Sequence, residues 1–269
     1  EKLSQGSVEL PSFPDVVIRL RQVLADNDST TAQISQLLGA EPALAAQLLK
    51  LANSAAFRPG TTPISDLNMV INRVGRSMVR NAAMSYGVQK VRDSQQHPDA
   101  QQYLSDIWSE STLIAALSYV VAKKLTKLNP DEALLLGLLH GIGKLYIVAQ
   151  AEAAPEIFGD SSKLRNILHD QHAALGAAII KHWMISEEVA YSIENYQNIS
   201  REHDGPTDLT DVLTIANLLS GFLNEESDSE IQLSEIPASQ HLTVSAGDIM
   251  TVLMESEEQV ASLRRALES

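Results

Sequence analysis

The stretch LLGLLHGIGKLYI, Leu135 to Ile147, places one histidine inside an almost unbroken apolar run and follows it with Gly-x-Gly-Lys. Residues of these types support three readings. A glycine-lysine loop can cradle phosphate, a histidine at a helix end can ligate a metal, and a buried histidine can serve the fold alone. Spacing separates them.

A phosphate loop of the GxxxxGK[ST] kind needs glycine where Leu138 stands and serine or threonine where Leu145 stands. A dinucleotide fingerprint needs a third glycine where Tyr146 stands, after a strand that the pattern does not supply. Metal chemistry needs three or more converging donors, and with no cysteine in the chain none of them is a thiolate. Of the histidines at 97, 140, 169, 172, 182, 203 and 241, only His169 and His172 have i, i+3 spacing on one expected helix. His140 is therefore expected to be kept for the fold, hydrogen-bonded near the junction of two buried helices. Gly141 and Gly143 would end one helix there and allow close packing. Lys144 is a candidate anion ligand, with a salt bridge or a solvated end as the plainer expectation.

The elements that must position these residues are all helical, because no segment alternates with period two. Pro14 is expected in the first turn of a helix through VVIRLRQVLAD, with Val17, Leu20 and Leu24 on one face, and Asp28 to Thr31 supply cap residues. AQISQLL stops at Gly39, Pro42 opens the next helix, and ISDLNMVINRVG and RSMVRNAAMSYGVQKV are divided at Gly75. The polar stretch RDSQQHPDAQQ marks a boundary. A long helix follows, with Leu104, Ile107, Trp108, Ser111, Ile114 and Ala115 on one side. Asn129-Pro130 starts ALLLGLLH, which is apolar nearly all round and hence buried. Two further helices cover LRNILHDQHAALGAAIIKHW and ISEEVAYSIENYQNI, then comes LTDVLTIANLLSGFL. Ser245 and Asp248 resemble a capping box that opens a single final amphipathic helix. The expected units are an N-terminal helical subdomain over 8–92, a helical core over 103–222 and a C-terminal helix over 240–269.

Composition narrows the function classes. With 44% hydrophobic but only 4% aromatic residues in 269, the core must be Leu, Ala, Val and Ile, as in close-packed helices. A net charge of −14 repels nucleic acid and anionic membranes. The helical hairpin near residue 40 is thus expected to be plain packing rather than a DNA-reading helix-turn-helix. Residues 55–92 are the exception, with Arg58, Arg73, Arg76, Arg80, Lys90 and Arg92 against one acid, Asp66. The four arginines Arg58, Arg73, Arg76 and Arg80 are a candidate surface for an anion or an acidic partner, set against solvated helix faces. No run of about 18 apolar residues and no signal-like start is evident, so a cytoplasmic protein is expected. A start at Glu rather than Met suggests an upstream segment.

His140-Gly-Ile-Gly-Lys144, after its buried apolar helix, resembles the His-Asp-Ile-Gly-Lys signature of the HD phosphohydrolase superfamily, with Gly141 in place of the aspartate. The chain is closer still to the HDOD domain, the HD-related output domain of bacterial signalling proteins. LPSFPDVVIRL, EPALAAQLLKLANSAAF, ISDLNMVINRVGRSMVRN, EALLLGLLHGIGKL and QHAALGAAIIKHW follow one another in that family's order, over roughly Leu10 to Leu219. The resemblance implies an all-α, multi-helix HD-like bundle in which an N-terminal subdomain packs on an HD-like core.

Carried over by position, the resemblance puts Glu110 where active HD enzymes have their first histidine ligand, and His140-Gly141 where they have the His-Asp pair. His172 matches a later histidine in a His-x-x-x-Gly setting, Tyr196 and Gln197 stand for a histidine pair, and Asn217 stands for the final aspartate. With carboxylates missing at Gly141 and Asn217, a two-metal centre has lost the donors that would activate water, and a weak mononuclear site on His140 and His172 is the most that is left. No cofactor is expected. The resemblance implies a non-catalytic regulatory or scaffolding domain that binds signalling proteins such as response regulators, kinases or cyclic-dinucleotide enzymes. Two alternatives stand beside it: a sensor holding a nucleotide or other anion around His140, Lys144, His169 and His172, and a phosphohydrolase with an unusual metal set.

Overall fold

The computed structural model describes residues 14–57, 62–93, 98–151, 161–223, 233–243 and 246–268, and among them there is no strand. Helix α1 (Asp15–Ala25) buries Val17 and Leu20, with Pro14 capping its start rather than lying within it. Thr30 caps α2 (Thr31–Gly39) in a reciprocal capping box with Gln33. Pro42 opens α3 (Pro42–Ala52), whose Leu44, Leu48 and Leu51 face inward. In α4 (Leu67–Asp93) the helix kinks at Gly75, whose φ of 83° lies in the left-handed region where a side chain is strained.

That kink turns Arg76 back onto the α1–α2 loop. Its guanidinium donates to the carbonyls of Ser29 at 3.0 Å, Val23 and Leu24 at 3.2 Å and Asp26 at 2.7 Å. Arg76→Ala is expected to lower unfolding stability by about 1.5–3 kcal/mol, because several carbonyls lose a charged donor at once. Arg76→Lys should restore only part of it, since one ammonium cannot span the same set. Urea denaturation decides the matter: full rescue by lysine would mean that charge alone, and not the fork, holds the loop.

The second half is built round α5 (Pro98–Leu125), which packs against α6 (Pro130–Leu139), α7 (Ile142–Ala151) and α10 (Leu209–Leu223). The expected one-sided burial of α5 holds for Leu104, Ile107, Trp108, Ser111, Ile114 and Ala115, but residues 111 to 122 are buried on every face because helices surround them. The α5–α6 approach is backbone to backbone: a Cβ on Gly137 would lie 2.5 Å from the Ala115 Cα. Asn129 caps α6 from Pro130, as its type predicts, and the helix buries every residue from Ala133 to Leu139. The stretch Pro130–Ala151 is apolar enough to cross a membrane on composition, yet it lies mostly buried inside the protein.

Helix α8 (Ser161–His182) packs on α7 and α9 (Glu187–Asn195), and α9 packs on α10. After a 3-10 turn (Leu233–Glu235) and the short α11 (Pro237–Gln240), the chain ends in α12 (Ala246–Glu255) and α13 (Glu257–Glu268). The single C-terminal helix expected from the sequence is therefore two. The break falls at Ser256, whose carbonyl accepts from Val260 and which is followed by Glu257 and Glu258, the pattern of a new helix N-terminus. Ser245 of the expected capping box lies outside the described residues. Helix α13 buries Val260, Leu263, Ala266 and Leu267 and packs on both α3 and α5, so it ties the N-terminal helices to the rest.

Candidate functional site

Five helices bring the HD-like positions together. The α6–α7 junction carries His140 and Gly141, α5 brings Glu110, α7 brings Lys144, α8 brings His172, and the residue ending α9 is Tyr196. Close backbone approach makes this possible. A Cβ on Gly143 would lie 2.0 Å from the His172 carbonyl oxygen, so only glycine lets α7 and α8 meet there.

Each polar group finds its partner inside the protein, with one exception. The Lys144 ammonium donates to both Glu110 carboxylate oxygens, at 2.9 and 3.0 Å. His172 Nδ1–H donates to the Leu168 carbonyl at 2.7 Å, which leaves Nε2 to accept from the Tyr196 hydroxyl at 2.9 Å. His140 Nδ1–H donates to the Gly137 carbonyl at 2.7 Å, and its ring meets Tyr196 edge-on with centroids 5.7 Å apart. The expectation that His140 is satisfied is thus half met, because its buried Nε2 has no hydrogen-bond partner among the described residues. At Gly141 the place of a carboxylate is taken: a Cβ there would lie 2.5 Å from Ser111 Oγ, which itself donates to the Ile107 carbonyl.

Burial sets the charges. His140 is 0% exposed and its imidazole is pushed down to about 4 by burial, with Lys144 adding to the fall and Glu110 opposing it. His172 is lowered for the same first reason, and burial raises the Tyr196 phenol. Burial alone would push the Glu110 carboxyl up, but the Lys144 ammonium, with smaller contributions from His140 and His172, holds the group below the usual carboxylate value. At neutral pH the cluster is one ion pair beside two uncharged imidazoles.

The remaining expected positions do not join this cluster. Gln197 is exposed; Asn217 is half-buried on α10, where its carbonyl accepts from Ser220; and His169 lies at the surface beside Asp170. Of the arginines, Arg58 lies outside the described residues. Arg73 donates to the Ala52 and Thr62 carbonyls, Arg76 clamps the α1–α2 loop, and Arg80 is exposed along a groove it shares with Arg21 and Met84. Two of the four guanidiniums expected to face a partner are spent on backbone carbonyls.

The resemblance to HD enzymes implies a metal, and the residues present do not fit one. Glu110 is held by Lys144, His172 Nε2 is taken by Tyr196, position 141 has no carboxylate and has the Ser111 hydroxyl against it, and a lone His140 Nε2 is not a site. Among the described residues, three donors converge elsewhere, at His203, Asp211 and His241, with ligand atoms all within 4.8 Å of one another. Sequence reading missed this trio because its members come from a loop, a helix start and a segment thirty residues on, with no local spacing to mark them.

Residues 10–199 match the family model of the HDOD domain. The chain belongs to the HDOD domain family. The match stops short of the Leu219 limit read from the sequence, so Asn217 lies beyond it. An uncharacterized protein of Treponema pallidum (strain Nichols) is 24% identical over 97% of this HDOD chain, which spans about half, 49%, of that relative's length. Among solved structures, a candidate metal-dependent phosphohydrolase of Shewanella amazonensis SB2B superposes with a TM-score of 0.82 at 24% identity, covering 99% of this chain and 95% of its own. An HDOD domain protein of unknown function from Geobacter sulfurreducens gives 0.70 at 21%, covering 100% and 95%. A candidate signal transduction protein from Marinobacter aquaeolei VT8 gives 0.64 at 20%, covering 99% and 61%. At these identities the likeness establishes the HDOD fold.

Proposed function

We propose that this HDOD domain is a non-catalytic regulatory module that works by binding a signalling protein, such as a response regulator, a kinase or a cyclic-dinucleotide enzyme. One observation carries the reading: the groups at the HD ligand positions are spent on one another or replaced, with Glu110 on Lys144, His172 on Tyr196 and Ser111 in the space of the lost carboxylate. A metal-activated hydroxide needs several free donors round one ion. The Shewanella neighbour's description as a candidate phosphohydrolase is set against this. The Marinobacter neighbour's description as a candidate signal transduction protein agrees with it.

Anion sensing draws less support. It requires an open positive cleft, whereas His140 and His172 are buried and Lys144 is already neutralised by Glu110. Hydrolysis of bis-p-nitrophenyl phosphate and of cyclic dinucleotides, with manganese, iron or zinc added, is expected to stay at the protein-free rate. Turnover that disappears in His140→Gln would overturn the proposal. A saturable complex with a protein of the named classes is expected in pairwise binding, and a thermal shift produced by a nucleotide in place of any such complex would turn the reading to sensing.

A further inference from the structure

Beyond the matched family region, Asp211 stands in the first turn of α10 with its side chain 2% exposed, and two imidazoles converge on one of its oxygens. His203 Nε2 lies 2.9 Å and His241 Nδ1 3.0 Å from Asp211 Oδ2, and the two rings meet edge-on with centroids 4.2 Å apart. We propose that His203, Asp211 and His241 form a binding site for a divalent transition-metal ion of the zinc class, which clips the segment before α12 to α10.

The donor set is two imidazoles and one carboxylate, which suits zinc-class ions and leaves a fourth position for water. Its supports are already in place. The Arg201 guanidinium donates to Asp211 Oδ1 at 3.1 Å, so Oδ2 is the oxygen turned to the imidazoles. Asp208 pairs with the same Arg201 and lies 3.9 Å from His203 Nε2. Two carboxylates round one guanidinium leave one negative charge for a cation. The His241 backbone is anchored separately: Thr207 Oγ1 donates to its carbonyl, and two residues on, Thr243 donates from both N–H and Oγ1 to the Leu125 carbonyl at 2.9 Å. His203 and His241 side chains are 18% and 20% exposed, so an ion can enter from solvent. On binding, each imidazole presents a lone pair where its N–H now meets Asp211, and its proton moves to the other ring nitrogen, so the cation replaces two hydrogen bonds.

The site is independent of the HD-like cluster, and so is its test. Chelator-dialysed full chain is titrated with zinc ions against a chromophoric competitor, with about one equivalent expected per chain. His203→Gln, His241→Gln and Asp211→Asn should each weaken that binding at least tenfold, while His140→Gln and His172→Gln leave it unchanged. Zinc should raise the melting temperature of the wild type and not of His241→Gln. Should a variant fail to fold, carbethoxylation of wild-type histidines mapped by mass spectrometry answers the same question: zinc should shield His203 and His241 and leave His169 reactive. Equal modification with and without zinc, or zinc binding indifferent to all three substitutions, overturns the proposal.

Discussion

Gly143→Ala is expected to destabilise the protein strongly. The new Cβ would sit 2.0 Å from the His172 carbonyl oxygen and 2.9 Å from the Gly176 amide nitrogen. Both are backbone atoms in the middle of α8, so no rotamer change relieves the contact and the two helices must separate. Overpacking of this kind costs about 3 kcal/mol or more, a large part of the 5–15 kcal/mol typical of a folded domain. Gly39→Ala provides the comparison. Its Cβ meets nothing within 4 Å and it lies in α2, so alanine there should be neutral or stabilise by up to about 1 kcal/mol. Urea midpoints of the two variants measure the difference, and a Gly143→Ala protein within about 0.5 kcal/mol of wild type would show that α7 and α8 do not meet as described.

Acid should destabilise the protein through His140 before it reaches the carboxylates. The folded imidazole titrates at about 4 and the unfolded one near the ordinary 6.5, so between those values the unfolded chain takes up a proton that the folded chain refuses. Stability due to neutral His140 is therefore complete above pH 6.5 and is lost as the pH falls towards 4. By pH 4.5 the loss is about 2–3 kcal/mol relative to pH 7. His172 is shifted the same way, so the reading is taken as a difference: the fall from pH 7 to 4.5 should be smaller by that amount in His140→Gln, whatever the substitution costs at neutral pH. Glu110, lowered by Lys144, adds its own loss only as the pH falls below the ordinary carboxylate value. An identical pH dependence in wild type and variant would mean that His140 is not buried neutral.

Much of this site was legible along the chain because its signals are local. His140 follows a run apolar on every face, and burial of that run buries the histidine with it. Gly141 and Gly143 mark a helix end and a close approach by type alone, whereas the carboxylates missing at Gly141 and Asn217 are what the resemblance to HD enzymes implies. Caps at Thr30 and Asn129, proline starts at Pro42 and Pro130 and the kink at Gly75 are one-residue facts of backbone chemistry and came through intact. The break at Ser256 was missed although Glu257 and Glu258 signal it, because the apolar period runs across it undisturbed.

Partnership was the part that could not be read. That Arg76 holds carbonyls of the α1–α2 loop rather than facing a partner follows from a kink that swings it onto a segment about fifty residues away. That Lys144 neutralises Glu110, that Tyr196 completes His172 and that Ser111 fills the space beside Gly141 are contacts between different helices, as is the meeting of His203 and His241 at Asp211. Period and residue type, which act over a few neighbours, were enough to read an all-helical chain and the helix that buries His140. Which polar group meets which is set by packing between distant segments, because burial forces each donor to find an acceptor wherever that packing places one.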